Sequence, residues 1–358
     1  MFVYLAHYII LFYLNNMSST DTLEIPAVII TPGSFLSDAL FRFDFGDNLR
    51  IGTAEFTDSS HKSYTGCTIF YFPNNQKLKN KAVVDIKGPS ASTFNTSSKL
   101  LRGDASLDCI IFTGGSRMGL PNVVSGVSDY IMKKKLKSSE RLHTTNMPSV
   151  SGAAIYDYAF RKDNLFPTYD CGLKSIQFCE KDCIPIGEHG AGSNSHVGKI
   201  IDLKYSQKGG QSAYFTEMPN GIKIFVCVVL NSAGAIYDEN GKLLRGNYDS
   251  ETKKFIYSKS DIVNEETIDI EDVTAQNTTL TFVCTNQVLT SSELAELSSC
   301  VHTNMARYIS PFATSLDGDV LYMVSTMERD GKMSYDEKMD FMLKINETIK
   351  NAIHYQFK

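Results

Sequence analysis

The sequence predicts a mixed α/β (α+β) fold, on three observations. From about Ala27 to Arg245, short apolar runs typical of strands alternate with apolar positions at helical spacing, and short turns separate them. A polar stretch follows, after which strand and helix patterns resume. The chain has 358 residues, of which 42% are hydrophobic, so it can bury a substantial core in one large domain or two ordinary ones.

In the first part of the chain, apolar runs and turn signals indicate strands and one helix. LDCIIFT (Leu107–Thr113) is uninterrupted, as expected of a strand covered on both faces. GGSRMG follows it, and then a helix whose apolar face comprises Leu120, Val123, Val124, Val127, Tyr130 and Ile131. The turn MPNG (Met218–Gly221) precedes IKIFVCVVLN, the most apolar strand. Asn240-Gly241 indicates a second hairpin.

The last part of the chain begins with a connector and contains two capped helices. Residues 247–276 are polar and acidic with little periodicity, which is typical of an exposed connector. Thr290 and Glu293 have capping-box spacing, and the helix face after them comprises Leu294, Leu297, Val301, Met305 and Tyr308. A second box, Ser334 to Glu337, opens a final helix that is predicted to direct inward Met339, Met342, Ile345 and Ile349.

Charge and motif content exclude several classes of function. The formal net charge is −5, so a nucleic-acid partner is not expected. The glycine-rich stretches GGSRMG and GAGSNSHVGKI (Gly190–Ile200) lack the glycine spacing of a dinucleotide-binding loop and the terminal Ser or Thr of a P-loop. The eight cysteines are scattered and form no zinc-type pair of CxxC units. We therefore predict neither a cofactor nor a metal.

The first residues form an apolar segment, MFVYLAHYIILFYL (Met1–Leu14). It is shorter than the ~20 residues of a membrane-spanning helix and lacks the positive region and cleavage site of a secretory signal. Residues 1–16 are therefore predicted to be an extension outside the core, and a cytoplasmic protein without membrane contact is expected from a start at Met17. If the segment is instead a signal or anchor, the protein enters the secretory pathway, and the sequons at Asn95, Asn277 and Asn346 become candidate glycosylation sites.

AQNTTLTFVCTN (residues 275–286) admits three interpretations. Asn277 opens a glycosylation sequon, the threonines suit a strand, or the Asn277–Thr278 bond is cut and gives Thr278 a free amine. The chain has no GxSxG elbow and no histidine pairing that suggests a serine triad, whereas an α-amine of pKa about 7.7–8.0 can serve as the base for a hydroxyl. Strand alternation places Thr278 on one inward face with Leu280, Phe282 and Cys284.

Four further polar residues have two interpretations each. Asn231 ends the most apolar strand and either caps the SAGA loop or donates to a developing oxyanion. Lys199 is either a helix-end surface lysine or a functional group. Asp317 and Asp319, in SLDGDVLY, either form a turn or orient an ammonium group.

Seven stretches together resemble the L-aminopeptidase/D-esterase family, which includes β-peptidyl aminopeptidases and nylon-oligomer hydrolases. They occur in the family's order and span most of the chain after about residue 27. They are GCTIF (Gly66–Phe70), IFTGGSRMGL (Ile111–Leu120), MPSVSGAAIYDY (Met147–Tyr158), GAGSNSHVGK (Gly190–Lys199), VVLNSAGAIYD (Val228–Asp238), NTTLTFVCTNQVLT (Asn277–Thr290) and SPFATSLDGDVLY (Ser310–Tyr322).

The resemblance implies a fold and a chemistry. The fold would be a single-domain, four-layer αββα sandwich of the N-terminal-nucleophile-hydrolase type, with Thr278 at the start of a central strand. Self-cleavage between Asn277 and Thr278 would divide the domain into residues 17–277, whose linker is 247–276, and residues 278–358. Thr278 would then be the nucleophile.

The same resemblance implies roles for five other residues. Asn231 would donate to the oxyanion, and Tyr156 would line that site. Lys199 would lie near the nucleophile. Asp317 and Asp319 would hold the new α-amine, although a nearby carboxylate favours the charged form of an amine, which is the wrong form for a base.

The implied protein is a self-cleaving N-terminal-threonine amidohydrolase or aminopeptidase that acts on small peptides or aminoacyl amides and esters, without a cofactor and as a homotetramer. Two alternatives stay open, an acyltransferase of the ornithine-acetyltransferase type on the same fold and a non-cleaving binding or assembly protein. The stretch DIKGPSASTFNTSSKLL departs from the family pattern near the expected pocket, so the substrate class is open as well.

Overall fold

The computed structural model describes residues 29–32, 39–57, 62–75, 79–136, 141, 143, 146–256 and 277–357. The apolar segment 1–16 therefore lies outside the described residues. Among the helices in these ranges, none combines the length and apolarity needed to cross a membrane.

The strands, in chain order, are β1 (Ile29–Pro32), β2 (Leu40–Arg42), β3 (Arg50–Thr57), β4 (Ser63–Tyr71), β5 (Lys81–Lys87), β6 (Ser92–Phe94), β7 (Cys109–Thr113), β8 (Val150–Ala154), β9 (Cys183–Pro185), β10 (His196–Val197), β11 (Gln207–Lys208), β12 (Gln211–Glu217), β13 (Lys223–Asn231), β14 (Ala235–Tyr237), β15 (Leu243–Arg245), β16 (Tyr248–Asp249), β17 (Lys254–Phe255), β18 (Thr278–Gln287), β19 (Ile309–Ser310) and β20 (Asp319–Arg329). The helices are α1 (Ser98–Leu101), α2 (Ser116–Lys135), α3 (Tyr169–Gln177), α4 (Ser291–Asn304) and α5 (Tyr335–His354).

Two large sheets organise these strands. One has six strands in the order β1-β3-β4-β7-β8-β6, and the other has five in the order β12-β13-β18-β20-β5. In the five-stranded sheet β18 is central, antiparallel to β13 and parallel to β20. Three smaller ribbons pair β10 with β11, β2 with β9 and β16 with β17, and a three-stranded sheet joins β15, β14 and β19.

Three apolar clusters separate four layers. The central cluster lies between the sheets, where the rings of Phe70 and Phe282 stack with centroids 3.9 Å apart. A second cluster lies between the six-stranded sheet and the helices α2 and α3. A third packs the five-stranded sheet against α4 and α5. This arrangement is the predicted αββα sandwich.

The predicted alternation along β18 is confirmed. Leu280, Phe282 and Cys284 belong to the cluster between the sheets, whereas Val283 belongs to the cluster under the helices. Thr278 continues the first of these faces and is 2% exposed. The β-branched and apolar residues of this strand can face two dry layers because both sides of the sheet are covered.

Both predicted capping boxes are present, and one predicted helix face needs correction. Thr290 caps α4 and Ser334 caps α5, each with the reciprocal bond from the glutamate three residues later. In α5, however, Met339 is 38% exposed and Phe341 is buried instead. Phe341 lies four residues before the buried Ile345, whereas Met339 lies six before it and so turns away from that face.

The turn signals and the start of the predicted connector also have definite structures. The MPNG turn joins β12 to β13, and Asn240-Gly241 lies in the turn between β14 and β15. Within the stretch predicted as a connector, residues 248–255 form the β16–β17 hairpin. Residues 257–276 lie outside the described residues.

Candidate active site

Three neighbouring strands of the five-stranded sheet bring polar residues to one end. β13 ends at Asn231, β18 begins at Thr278 and β20 begins at Asp319. Because β13 runs antiparallel to β18, its last residue pairs with the first residue of β18, and Asn231 is the ladder partner of Thr278. Because β20 runs parallel to β18, its first residue lies at the same end. The strand directions therefore assemble a polar cluster from distant parts of the sequence.

The Asn277–Thr278 bond lies in this cluster with its carbonyl group held on two sides. The Thr278 hydroxyl donates to the Asn277 carbonyl oxygen at 2.6 Å, and the Gly318 N–H donates to the same oxygen at 2.8 Å. The Asn277 N–H donates to the Leu316 carbonyl oxygen at 3.3 Å. Two donors on one carbonyl oxygen withdraw electron density from the carbonyl carbon, which favours attack on that carbon.

Glycine is required at position 318 because another backbone passes close to it. A Cβ at Gly318 would lie 2.4 Å from the Ala91 nitrogen and 2.4 Å from the Ser90 carbonyl carbon. No side chain fits there without moving the backbone. The Asp-Gly-Asp spacing is thus explained by a close approach that lets the Gly318 N–H reach the Asn277 carbonyl.

The two carboxylates flanking Gly318 are held by backbone donors. Asp319 accepts from the Thr279 N–H at 2.6 Å and from the Ala313 N–H at 3.2 Å. Asp317 accepts from the Ala233 N–H at 3.3 Å and from both the N–H and the hydroxyl of Thr314 at 2.9 and 2.6 Å. In the continuous chain both carboxylates therefore hold the surrounding loops in place. The interpretation of Asp317 and Asp319 as a simple turn does not account for these bonds.

Burial changes the charge state of Asp319. The residue is fully buried, and burial together with the neighbouring Asp317 raises the pKa of the Asp319 carboxyl from 3.8 to about 7. The hydrogen bonds from Thr279 and Ala313 oppose this rise. Near neutral pH, Asp319 therefore exchanges between the acid and the carboxylate.

Lys199 enters the cluster from the glycine-rich loop that precedes it. Gly198 adopts a φ of +72°, and a Cβ there would lie 2.5 Å from the Asn247 nitrogen. The Lys199 ammonium donates to the carbonyl oxygen of Asn231 at 2.8 Å and to its side-chain Oδ1 at 3.1 Å. The residue is 5% exposed, so the interpretation of Lys199 as a surface lysine is wrong.

The buried position of Lys199 makes it a weaker base than an ordinary lysine and leaves more of it neutral. Burial lowers the pKa of Lys199 from 10.5 to about 7, and the charges of Asp317 and Asp319 only partly oppose this change. A lysine with this pKa can accept a proton near neutral pH, which an exposed lysine does rarely.

Asn231 is oriented by three partners. Its Oδ1 accepts from Lys199 and from the His196 N–H, the latter at 3.1 Å, and its Nδ2 donates to the Tyr156 carbonyl oxygen at 3.2 Å. These bonds fix the amide with its NH₂ toward Tyr156, so one of the two amide protons is available for a further acceptor. The Asn231 side chain therefore binds neighbouring loops, and the SAGA loop is instead contacted by Asp317 through Ala233.

Tyr156 is the most exposed of the six predicted residues. Its side chain is half-buried and packs edge-to-face on Tyr158, with ring centroids 5.5 Å apart. Its carbonyl group is what contacts Asn231, and its hydroxyl has no hydrogen-bond partner among the described residues. Tyr156 therefore borders the cluster while its hydroxyl remains free.

The other five predicted residues are nearly inaccessible in the continuous chain. Each is at most 5% exposed, and they are Lys199, Asn231, Thr278, Asp317 and Asp319. Asn277 is 3% exposed, which leaves no room for a glycan on the folded chain. The glycosylation interpretation of this sequon is therefore not supported by the fold.

Sequence patterns alone miss two groups in this cluster. The Gly318 N–H contacts the Asn277 carbonyl, but a backbone donor has no side-chain signature, and only the odd Asp-Gly-Asp spacing hints at it. His196 contacts Asn231 through its own N–H. Its position three residues before Lys199 in the glycine-rich loop is the one available signal.

Other features of the described residues lie apart from this cluster. A cavity of about 650 Å³ is bordered by Lys208, Arg245 and Phe357 and includes none of the six predicted residues. Within the described ranges, no three His, Cys, Asp or Glu side chains are arranged to hold a metal ion. All eight cysteines are free thiols, and Cys300 is the exposed one.

Comparison with protein families gives one match that covers most of the chain. The model of Peptidase family S58 matches residues 47–355. A 6-aminohexanoate-oligomer endohydrolase from Paenarthrobacter ureafaciens is 30% identical over 292 residues, which are 81% of this chain and 76% of that protein. The region matched by the family model includes the whole five-stranded sheet, all strands of the six-stranded sheet except β1, both helix layers and the polar cluster.

Two solved structures share the fold at low sequence identity. A β-aminopeptidase from a Burkholderia species has a TM-score of 0.62 at 11% identity, covering 89% of each chain. An L-aminopeptidase D-Ala-esterase/amidase from Ochrobactrum anthropi, described as a variant of the Ntn hydrolase fold, has a TM-score of 0.61 at 15% identity. It covers 86% of this chain and 82% of that one. The αββα arrangement is thus an Ntn-hydrolase fold.

Proposed function

Since the chain belongs to Peptidase family S58, and so is a hydrolase, we propose that it cuts itself between Asn277 and Thr278 and then uses Thr278 as an N-terminal nucleophile on amide substrates. The single observation that carries this proposal is the environment of the Asn277 carbonyl group. Its oxygen accepts from the Thr278 hydroxyl and from the Gly318 N–H, inside a buried site next to a lysine of lowered pKa.

The proposed self-cleavage has two steps. Thr278 Oγ attacks the Asn277 carbonyl carbon, its proton passes to a base, and the carbon–nitrogen bond breaks as the Thr278 nitrogen takes up a proton. The product is an ester between Asn277 and the Thr278 side chain. Water then hydrolyses this ester, which releases the Asn277 carboxylate and restores the hydroxyl beside a free α-amine. Throughout the first step, the Gly318 N–H stabilises the charge that develops on the carbonyl oxygen.

Lys199 is the proposed base of the first step, because the uncut chain has no α-amine at Thr278. Its ammonium is bonded to Asn231, the ladder partner of Thr278, and its pKa of about 7 supplies a neutral fraction at physiological pH. After cleavage the α-amine of Thr278 can take over this role.

The raised pKa of Asp319 addresses the difficulty that a carboxylate would hold the α-amine in its charged form. In the continuous chain burial and Asp317 raise the pKa of Asp319 to about 7, and after the cut the same burial would oppose the charged form of the new α-amine as well as that of the carboxyl. The pair of Asp317 and Asp319 can thus position an ammonium group without fixing its charge.

For the mature enzyme we propose that Asn231 donates its free amide proton to the oxyanion and that Tyr156 lines the substrate side of the site. The substrate class is an acyl group with a terminal amine, linked through an amide, as in short aminoacyl amides or 6-aminohexanoate oligomers. The name of the Paenarthrobacter relative and the two aspartates near the nucleophile support this class. A homo-oligomeric assembly and a cytoplasmic location stay predictions.

The test is the intact mass of protein expressed from Met17. Wild type is expected as two fragments, the smaller of 358 − 277 = 81 residues beginning at Thr278. Thr278→Ala is expected to stay whole, because it has no hydroxyl, and Thr278→Ser is expected to be cut. A folded wild-type chain that stays whole, or a cut in Thr278→Ala, would contradict the proposal.

A matched control separates this route from cyclisation of the asparagine side chain, which also breaks the bond after an asparagine. Asn277→Ala keeps the carbonyl group and the threonine but removes the side-chain amide. The proposed route predicts that this variant is still cut. Loss of cutting in Asn277→Ala with retained fold would favour cyclisation.

Hydrolysis is tested on the cut protein with 6-aminohexanoyl p-nitroanilide. Wild type is expected to release p-nitroaniline, and Thr278→Ala is expected to be inactive. A rate that depends on an added amine acceptor, with acyl transfer to that amine, would instead indicate the acyltransferase alternative.

A further inference from the structure

His196 lies in the glycine-rich loop beside the candidate active site, and the proposed mechanism does not use its ring. It occupies β10, and its backbone N–H donates to Asn231 Oδ1 at 3.1 Å. Asn231 in turn is the ladder partner of Thr278. The His196 ring is therefore attached to the same amide that would bind the oxyanion.

One hydrogen bond fixes the tautomer of the His196 ring. Nδ1 lies 2.9 Å from the carbonyl oxygen of Asn194. Because a carbonyl oxygen only accepts, Nδ1 must carry the proton, and in the neutral ring Nε2 is then an acceptor. Nε2 has no partner among the described residues and is not among their fully buried unpaired polar atoms, so this atom keeps some contact with solvent although His196 as a whole is 7% exposed.

The plane of the ring is fixed as well. His196 stacks on Phe160 with ring centroids 3.7 Å apart and an interplanar angle of 24°. Phe160 is half-buried and lies four residues after Tyr156 in the sequence, so it belongs to the same segment as the residue proposed to line the substrate side. A stacked ring that is also bonded at Nδ1 cannot rotate freely, and its Nε2 points in one direction.

Burial and nearby cations keep this imidazole neutral. They lower the pKa of His196 to about 3, with burial as the main cause and Lys208, Lys199 and Arg245 as the charges that add to it. A ring that stays neutral cannot donate through Nε2. Near neutral pH, Nε2 is therefore a hydrogen-bond acceptor.

We propose that the Phe160–His196 pair is a substrate-recognition element in which His196 Nε2 accepts a hydrogen bond from the N–H of the substrate's scissile amide. This inference rests on the proposed function, since it places the substrate amide between Thr278 and His196. It assigns a preference for amides over esters, because an ester oxygen has no proton to donate to Nε2.

The experiment compares two substrates that differ in this proton, 6-aminohexanoyl p-nitroanilide and the matching p-nitrophenyl ester. His196→Phe keeps a flat ring for stacking on Phe160 but has no acceptor. We expect it to lower kcat/KM for the anilide about 10-fold, as the loss of one hydrogen bond to a buried partner does, and to leave kcat/KM for the ester unchanged. His196→Gln, which retains an acceptor, is expected to recover part of the anilide rate.

Equal losses on both substrates, or no loss on either, would overturn the proposal, since a purely structural role would not distinguish an anilide from an ester.

A second measurement, by NMR, does not depend on turnover. In the wild-type protein, the ¹⁵N resonance of His196 Nε2, assigned by its absence from His196→Phe, is followed as 6-aminohexanamide is added. Upfield movement supports the proposal, and a stationary resonance at every soluble concentration overturns it.

The test of self-cleavage is independent of the His196 experiments. A cut at Asn277–Thr278 that needs the Thr278 hydroxyl would stand even if the His196 resonance does not move. Failure of that cut, in contrast, would remove the nucleophile and leave the resonance experiment as a test of amide binding alone.

Discussion

The two ends of the strands β13, β18 and β20 treat charge in opposite ways. At the end formed by Asn231, Thr278 and Asp319, a lysine and two aspartates are almost completely buried. At the other end the charges reach water. Lys223, the first residue of β13, pairs with the exposed Asp44 at 3.6 Å, and Asp330, directly after β20, is exposed.

This difference identifies the end of the sheet where titratable groups are buried at a cost in stability. Burying the charged form of an ionisable group costs free energy, and a pKa shift toward the neutral form measures that cost. At the first end Lys199 and Asp319 have both shifted to about 7, so each is poised between two protonation states at physiological pH. Buried groups with strongly shifted pKa values lower stability and are found mainly at sites of acid–base chemistry.

The largest expected contrast between the two ends is in matched aspartate variants. Asp319→Asn should slow self-cleavage by at least about 100-fold, because an amide cannot accept from both the Thr279 and the Ala313 N–H or take part in proton transfer. Asp330→Asn should have no effect, because this side chain is exposed and, among the described residues, accepts only from the Gly331 N–H. The conversion of precursor is followed by mass spectrometry, and equal rates in the two variants would refute the contrast.

A smaller contrast is expected in the pH dependence of stability, measured by urea unfolding in the uncut Thr278→Ala chain. Between pH 7 and 10.5 the unfolded chain carries a proton on Lys199 that the folded chain does not. The free energy of unfolding should therefore rise with pH across this interval, by roughly 3–5 kcal/mol at most from this group. Lys199→Met should remove that rise, whereas Lys223→Met at the other end should keep it.

Asp319 should act in the opposite direction at lower pH. Its pKa is raised from 3.8 to about 7, so between these values the folded chain binds the extra proton. The contribution of Asp319 to the free energy of unfolding therefore falls as pH rises from about 4 to 7. The combined contribution of Lys199 and Asp319 to the free energy of unfolding is therefore lowest near pH 7. Asp319→Asn should remove the fall between about pH 4 and 7 and leave the rise above pH 7.

The smallest expected effect is at the solvated end. Asn286 accepts from the Lys223 N–H at 2.8 Å and donates to the Gly221 carbonyl at 3.1 Å, so it holds the turn between β12 and β13. Asn286→Ala should lower the free energy of unfolding by about 1–2 kcal/mol through these two bonds. The rate of self-cleavage by the folded chain should not change, and a slower cut in folded Asn286→Ala protein would show that the two ends communicate.

Much of the fold follows from local patterns. The alternation in β18, the capping boxes of α4 and α5 and the glycine-containing turns all depend on residues close in sequence, and all are present. Met339 shows the limit of such patterns. Both Met339 and Phe341 are apolar, and the choice between them depends on which face of α5 meets the sheet.

The candidate site is less predictable because strand register and loop approach create it. The burial of Lys199 depends on Asn231, which is 32 residues away in sequence, and on the close passage of Gly198 by Asn247. The Gly318 N–H reaches the Asn277 carbonyl only because β18 and β20 are parallel neighbours. Neither contact leaves a periodic signal in the sequence.

The central position of β18 has a consequence for the assembly of the proposed mature protein. The 81-residue fragment would contain β18, β20, α4 and α5, while β5, β12 and β13 would stay on the other fragment. Neither fragment would hold a complete five-stranded sheet or the whole apolar cluster under the helices. The two would remain associated after the cut, as one folded body made of two chains.

Cutting would then change the molecularity of folding. The precursor folds as a single chain, so its unfolding midpoint does not depend on protein concentration, whereas refolding of the two fragments is a bimolecular encounter. If the proposed cut occurs, the peptide bond at Asn277 would act as a temporary tether that gives the two fragments a high effective concentration for their first folding. After the proposed cut, the native state would be maintained by slow dissociation of the two fragments, because their refolding would require a bimolecular encounter.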